Sequence, residues 1–440
     1  MTANRPDAPL WMRICVWLSR LLTGSTFILS GWAKSVDPWG FVYKLEDYLA
    51  VWDIGGVPRE VVVVAAVGLS IFEFATGVML LTGSLRRAAP VCAAALMAVM
   101  LPLTLYIYIA DPVPDCGCFG DLWVISNGAT FAKNLVLTAM VVFLLLYNTR
   151  CKPAILPGLQ WLLIVLSCIY PLTLAFIGWQ LQPVADFRPY GIGKSLTPSA
   201  ETAESEDDIT YVYTKDGREQ EFSLDALPDS TWTYVGPGAS AVDAADESRP
   251  AIFDGDEEVT DLALEPGENG ELVIITIPEP SLDYLARARY ANEINEYVTA
   301  RGGRMVALVA ANDKDLERWR QMARPEYEVF SCSDTALKQM VRGTMGLIRT
   351  VDGRIVLKRN FSTLDPALLE RADPFGSLWG VDNGRLSLWL LIFFLAGVAL
   401  LYIPGRIYDS LRPSQKKLLK KISNDSDKPA ESGPEPGSED

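Results

Sequence analysis

Two cysteines one residue apart offer the chain its clearest chance of chemistry. They stand in the string Asp115-Cys116-Gly117-Cys118-Phe119-Gly120-Asp121. Two residues of chain reach at most about 7 Å, and a disulfide wants its Cα atoms roughly 4.4–6.8 Å apart. A Cys-Gly-Cys pair can therefore close, but only in a tight ring, and Gly117 supplies the backbone freedom this needs. A strained, exposed bridge is reduced more readily than a structural one, as a working redox couple requires. Three readings fit the spacing: a cycling dithiol, a permanent staple of the loop, and a two-thiolate metal site. The last needs more ligands, and the chain contains no histidine to provide them. That absence also excludes His-ligated haem, a Ser-His-Asp triad, an H-E-x-x-H zinc site and a Cys-His nucleophile pair. No metal is expected.

The side of a membrane that the pair faces decides its redox life. The chain has 440 residues, 50% of them hydrophobic, with 39 Lys+Arg against 54 Asp+Glu and a net charge of −15. Nothing basic enough to neutralise phosphates follows from that balance, so nucleic acid is excluded as a partner. The hydrophobicity is gathered into runs. About 20 apolar residues cross a bilayer, and six segments qualify: 10–33, 61–81, 88–110, 129–147, 155–181 and 386–403. The lipid bilayer is thus one partner. The first run is read as a span and not as a cleaved signal peptide, since Arg20 interrupts its apolar core and no small-residue cleavage site follows.

Orientation follows from Lys and Arg near the span ends. Arg5 and Arg13, Arg86 and Arg87, Arg150 and Lys152, and the group from Arg406 to Lys421 all fall on one side if the six runs cross. That side is expected to be the cytoplasm, with both termini there. The loop over 111–128 has three Asp and no Lys or Arg, so it faces outward, where disulfides persist. Lys34 ends the first span on that side. Lys133 lies near the outer end of the fourth, and either cation can stabilise a thiolate. Cys15, Cys92 and Cys168 lie inside spans, where packing is the default role.

Arg20 and Glu73 appear at matching depths when counted from the inner ends of their runs. Each lone charge near the bilayer centre would cost at least about 2.5 kcal/mol. An Arg20–Glu73 ion pair is therefore expected, either as a helix clamp or as the polar wall of a pocket.

The stretch between the fifth and sixth runs holds about 200 residues. Its first part carries one hairpin signal, Lys215-Asp216-Gly217-Arg218 between alternating segments at 209–214 and 219–224. Beyond it come strands at 272–277, 305–310 and 327–330. Helices at 281–300, 312–321 and 334–341 alternate with them, and a hairpin closes the unit through Asp352-Gly353. That order predicts a mixed sheet with helices on both faces.

The chain's resemblances attach to these strings. The first four spans resemble the DoxX/MauE (methylamine-utilisation MauE-like) family of four-helix membrane proteins. The matching pieces are Arg20 with Gly31-Trp32-Ala33-Lys34-Ser35-Val36-Asp37-Pro38, then Glu73 with Gly77 and Gly83, then the Cys116–Asp121 string, then Lys133-Asn134. The outer unit resembles a thioredoxin-like fold, but lacks Cys-x-x-Cys at Pro278-Glu279-Pro280-Ser281-Leu282 and lacks proline in Gly343-Thr344-Met345-Gly346. It is expected to be redox-dead, with Cys332 a buried filler. The whole layout resembles the long DoxX-family form of Bacteroides-type bacteria.

The expected fold class is a membrane α-helical four-helix DoxX-like bundle plus two further spans, with an extracytoplasmic α/β domain. The expected divisions are 1–152 for the bundle, 153–182 for the fifth span, 183–250 for linker and small β structure, 251–385 for the thioredoxin-like domain, 386–405 for the sixth span and 406–440 for a disordered cytoplasmic tail. The resemblance implies a bacterial inner-membrane protein tied to sulfur or quinone oxidation, or to disulfide-dependent maturation of an exported client. Cys116 and Cys118 would be the reacting pair. Arg20, Glu73, Lys34, Lys133 and Asn134 would line a bundle pocket, with a quinone as the cofactor the resemblance implies, or neighbour the thiolate. A non-enzymatic scaffold whose outer domain binds a client is the alternative.

Overall fold

A computed structural model describes residues 9–113, 115–196, 210–215, 218–223, 232–237, 250–278, 280, 285–364 and 383–426. The first part of the chain forms α1 (Leu10–Val36), α2 (Pro38–Val51), α3 (Arg59–Thr82), α4 (Ala88–Ala110), α5 (Asn127–Tyr147) and α6 (Gln160–Gln180). All but α2 are long and apolar enough to cross a membrane. The long apolar runs of the sequence thus become helices, whose backbone polar groups are satisfied within the segment apart from the helix ends and the turns at Pro102 and Pro171.

α1 packs most closely on α3. Small residues permit that approach. A Cβ at Gly31 would lie 2.5 Å from the Phe74 nitrogen, and one at Gly77 2.6 Å from the Ile28 nitrogen. Between helices in lipid, such close backbone contact supplies much of the attraction. α3 ends at Gly83, whose φ of +64° is the left-handed turn that glycine adopts without strain. α4 and α5 pair with each other on one side of this core, and α6 lies against α3 and α1 on the other.

α2 lies in the stretch between the first two spans, where the sequence reading placed only a loop. Asp37 caps it, its Oδ1 accepting from the Gly40 N–H at 3.0 Å, and Pro38 occupies the first turn. Its Trp39 stacks on Trp179 at the end of α6, with ring centroids 3.8 Å apart.

Beyond α6 the chain builds an α/β domain. Strands β1 (Thr210–Lys215), β2 (Arg218–Ser223) and β3 (Thr233–Pro237) make a small antiparallel sheet in the order β2-β1-β3. β1 and β2 are the expected hairpin; its Asp216-Gly217 turn lies outside the described residues. The main sheet contains β4 (Ile252–Asp254), β5 (Glu257–Glu258), β6 (Glu271–Ile277), β7 (Arg304–Val309), β8 (Glu328–Cys332), β9 (Gly346–Val351) and β10 (Arg354–Asn360). Its order is β10-β9-β6-β7-β8-β4-β5, with β6, β7 and β8 parallel. Helices α7 (Leu285–Thr299) and α8 (Asp313–Ala323) cover one face, and α9 (Asp334–Met340) lies on the other. β6 is buried along its whole length, which is why it reads as a mostly apolar run. The start of the helix expected at 281–300 lies outside the described residues.

Gly193 N–H donates to the Ile355 oxygen at 2.7 Å, and Leu196 N–H to the Gly353 oxygen at 3.0 Å, so the chain just after α6 already edges the sheet. The last helix, α10 (Asn383–Ser426), continues well past the expected end of the sixth span at 405. It runs through Pro404 and Gly405, residues a membrane helix tolerates where neighbouring groups meet the freed backbone. Residues 427–440 of the expected tail lie outside the described residues.

The Gly77 contact is testable. Gly77→Val should push α1 from α3 and lower the melting temperature of the full chain in detergent, an overpacking cost of about 1–3 kcal/mol. Gly68→Val, where a Cβ meets nothing within 4 Å, should leave it unchanged.

Candidate functional site

The loop between α4 and α5 holds the cysteine pair, and three helices fix it. Asp115 makes the first turn: its Oδ2 accepts from the Gly117 N–H at 2.8 Å, an Asx turn. Its Oδ1 pairs with Lys44 of α2 at 2.7 Å. One helical turn on, the Tyr48 hydroxyl donates to the Cys116 oxygen at 2.9 Å. From α1, the Ser30 hydroxyl reaches the Cys118 oxygen at 2.6 Å. Gly117 has φ of +64°, and a Cβ there would come within 2.8 Å of the Lys44 side chain.

Both cysteines are free, and they differ in burial. Cys116 is half-buried; Cys118 is buried and its N–H donates to the Cys116 sulfur at 3.3 Å. The hydrogen bond from the Cys118 thiol draws the Cys116 thiol down to about 6 against the pull of burial, helped by the Cys118 N–H, Lys133 and the Thr130 hydroxyl. Cys118 is pushed well above the ordinary thiol range, because it gives its proton toward Cys116 and is itself buried. Lys133 stands 4.3 Å over the Phe119 ring. At neutral pH the pair thus carries one negative charge, held on the more accessible sulfur.

The expected Arg20–Glu73 pair does not form. Glu73 pairs with Lys34, whose Nζ lies 2.7 and 2.8 Å from its two oxygens. Glu73 also lies 2.8 Å from the Ser30 hydroxyl. Arg20 stands at the other end of α1, where a side chain at Gly83 would run into its guanidinium. There it donates to the Asn148 side chain at 2.6 Å and to the Asn148 oxygen at 3.2 Å, beyond the end of α5. The packing of α1 on α3 sets Lys34, and not Arg20, opposite Glu73. Asn134, one turn on from Thr130, donates to the Thr104 hydroxyl at 3.2 Å and ties α5 to α4. Among the expected site residues the structure therefore gathers Cys116, Cys118, Lys34, Glu73 and Lys133, and places Arg20 apart from them. Ser30, Lys44, Tyr48, Asp115 and Thr130 were not singled out from sequence. Asp115 two residues before a glycine was the one readable signal.

Two further features complete the site. A cavity of about 360 Å³ runs between α2, α3 and α4. Its walls are almost wholly apolar, with Leu45, Val61 and Leu103 among them, and it reaches Cys116 and Lys34 at one end. Above the loop, the α/β domain is bolted down by Arg342, whose Nε lies 2.8 Å from Asp37 Oδ2 and whose Nη2 lies 2.6 Å from Asp121 Oδ2. The Gln182 amide brackets the same residue through its backbone N–H and oxygen. Cys332 is buried in the α/β domain and its thiol is pushed up to about 11 by burial, as suits a filler.

Residues 12–147, from α1 to the last residue of α5, match the family model of Methylamine utilisation protein MauE. This part of the chain is a MauE-family membrane domain. The chain as a whole is a multi-pass membrane protein with an α/β domain joined to that unit. Residues 208–237, which cover β1 to β3, match a family described as a domain of unknown function, DUF8463. No curated protein matches the chain.

Two outcomes are expected. Labelling of Cys116 by an impermeant thiol reagent should be half-maximal near pH 6 and fall as acid protonates the sulfur. Cys118→Ala removes the chief hydrogen-bond donor and should move that midpoint upward, with Lys133→Met moving it less. For the buried pair, Lys34→Met should destabilise the bundle by about 3–5 kcal/mol by stranding Glu73. The double variant Lys34→Met/Glu73→Leu should melt higher in detergent than Lys34→Met alone.

Proposed function

We propose that this MauE-family protein is a thiol–disulfide redox module of the bacterial inner membrane. Cys116 and Cys118 cycle on its extracytoplasmic face, and both termini lie in the cytoplasm. The observation that carries the reading is the asymmetry of the pair: an accessible sulfur that ionises near pH 6 beside a buried one that keeps its proton. Each step of thiol–disulfide exchange is the attack of a thiolate on a disulfide sulfur, so a sulfur already ionised at neutral pH both attacks and leaves readily.

In the direction of client oxidation, a thiolate of an exported protein attacks the Cys116 sulfur of the closed Cys116–Cys118 bond. Cys118 leaves with the electron pair and takes up a proton. The client's second thiolate then displaces Cys116, which departs as the stable thiolate. The client loses two electrons and two protons, and the loop and its surroundings gain them. Closing the loop again needs an acceptor of two electrons and two protons. The apolar cavity that ends at Cys116 and Lys34 fits a quinone ring with its tail, and a quinone supplies that acceptor chemistry when bound. The order of β6, α7, β7 and the β9–β10 hairpin supports a thioredoxin-like module without its own redox pair, whose role is to dock the client.

A second reading is favoured by the Arg342 clamp, which holds the α/β domain against the cysteine loop. On that reading the loop is an anchor and the protein a scaffold that binds a client without turnover. Thiol trapping in intact cells separates the two. The redox module predicts Cys116 and Cys118 in both oxidised and reduced forms, with Cys118→Ser accumulating a mixed disulfide through Cys116. A pair found only oxidised, resistant to mild reductant, with client maturation surviving its removal, would leave the scaffold.

A further inference from the structure

The end of the bundle opposite the cysteine loop carries a second cavity, of about 670 Å³. Arg13 and Arg20 of α1 line one wall, and Arg150 and Lys152 of the segment after α5 line the other. Among the described residues no carboxylate lines it. Arg20 spends its donors on neutral oxygens: the Asn148 side chain at 2.6 Å, the Asn148 oxygen at 3.2 Å and the Lys152 oxygen at 3.4 Å. Arg150 lies 3.8 Å from the Met12 sulfur and 5.2 Å over the Tyr147 ring, again without a negative partner. Among the described residues Arg13, Arg150 and Lys152 make no ion pair. Four cations facing one space repel one another, and an anion in that space relieves them.

The remaining wall says what kind of anion. Ile14 and Trp17 of α1 line the same cavity and are 55% and 63% exposed, on a helix that crosses the membrane. Their outward faces meet acyl chains, and a tryptophan at this level belongs to the interfacial belt. A space with cations inside and apolar side chains on its bilayer rim matches a molecule with an anionic head and hydrocarbon tails. We propose that this cavity binds the phosphate headgroup of an anionic phospholipid, with its chains running along α1 past Ile14 and Trp17. Basic pockets between spans on one membrane face bind lipid headgroups by this combination.

The test uses the full chain purified in neutral detergent. Retention of phosphatidylglycerol is measured by native mass spectrometry against phosphatidylcholine, and inorganic phosphate is offered as a competitor. Phosphatidylglycerol should be kept selectively and should not be displaced by millimolar phosphate. The variant Arg13→Gln/Arg150→Gln/Lys152→Gln should weaken its retention on the order of a hundredfold, from the loss of three interfacial charges. Arg87→Gln, an exposed cation on the same face, should retain it like the parent. A near-ultraviolet spectrum like the parent's checks that the triple variant is folded. Equal retention of phosphatidylcholine, full displacement by inorganic phosphate, or an Arg87→Gln loss as large as the triple variant's would each overturn the proposal.

Discussion

A carboxylate closed between two helices is the constraint from which the site is built. Glu73 is 2% exposed, and a charge so placed is tolerable only with a partner and with its remaining oxygens satisfied. Lys34 meets both oxygens, and this has a consequence one step away. Ser30 has a single hydrogen and two acceptors within reach, Glu73 at 2.8 Å and the Cys118 oxygen at 2.6 Å. Because Lys34 already satisfies the carboxylate, that hydrogen is free for the loop. The ion pair inside the bundle thus fixes the backbone of the buried cysteine, and with it the geometry that makes Cys116 the acidic member of the pair.

A second carboxylate joins the two halves of the molecule. Asp37 caps α2 with one oxygen and takes the Arg342 guanidinium with the other. The helix it starts supplies Lys44 and Tyr48 to the cysteine loop. Arg342 also reaches Asp121, three residues after Cys118. Any movement of the α/β domain is therefore felt on both flanks of the loop. The junction is further tied where Asn360 of β10 donates to the Trp179 and Gln180 oxygens, capping carbonyls that the end of α6 leaves unpaired. Among the described residues the domain is attached chiefly by hydrogen bonds and charge.

Hydropathy made the six spans readable, and alternation with turn signals made β6 to β10 readable, because both report burial along one short segment. Asn312 capping α8 was equally local, and the structure has it accepting from the Asp315 N–H at 2.9 Å. What local patterns did not carry was pairing at a distance. The choice of Lys34 over Arg20 for Glu73 depends on the register in which α1 packs on α3, and an apolar run does not mark that. α2 carried a readable start in Asp37-Pro38, but its short length and mixed composition hid it beside the spans. Arg342 lies 305 residues from Asp37, and nothing in either neighbourhood announces the other. The cysteine loop was legible as a string, while the unequal burial of its two sulfurs is a tertiary property.

The layout of α1 explains how one helix serves both membrane faces. Arg20, Gly24, Phe27, Gly31 and Lys34 are all buried and follow one another by four, three, four and three residues, a single stripe along the helix. The glycines in the middle of that stripe let α3 approach, and the two cations stand at its ends. Fourteen residues separate them, about 21 Å at 1.5 Å per residue. That distance is shorter than the roughly 30 Å of a hydrocarbon core, yet long enough to hold each charge near a boundary and away from the centre. The close-packed middle therefore needs no polar group of its own. The charges are kept where they meet other charges: Glu73 beneath the cysteine loop at one end, and the basic cavity at the other.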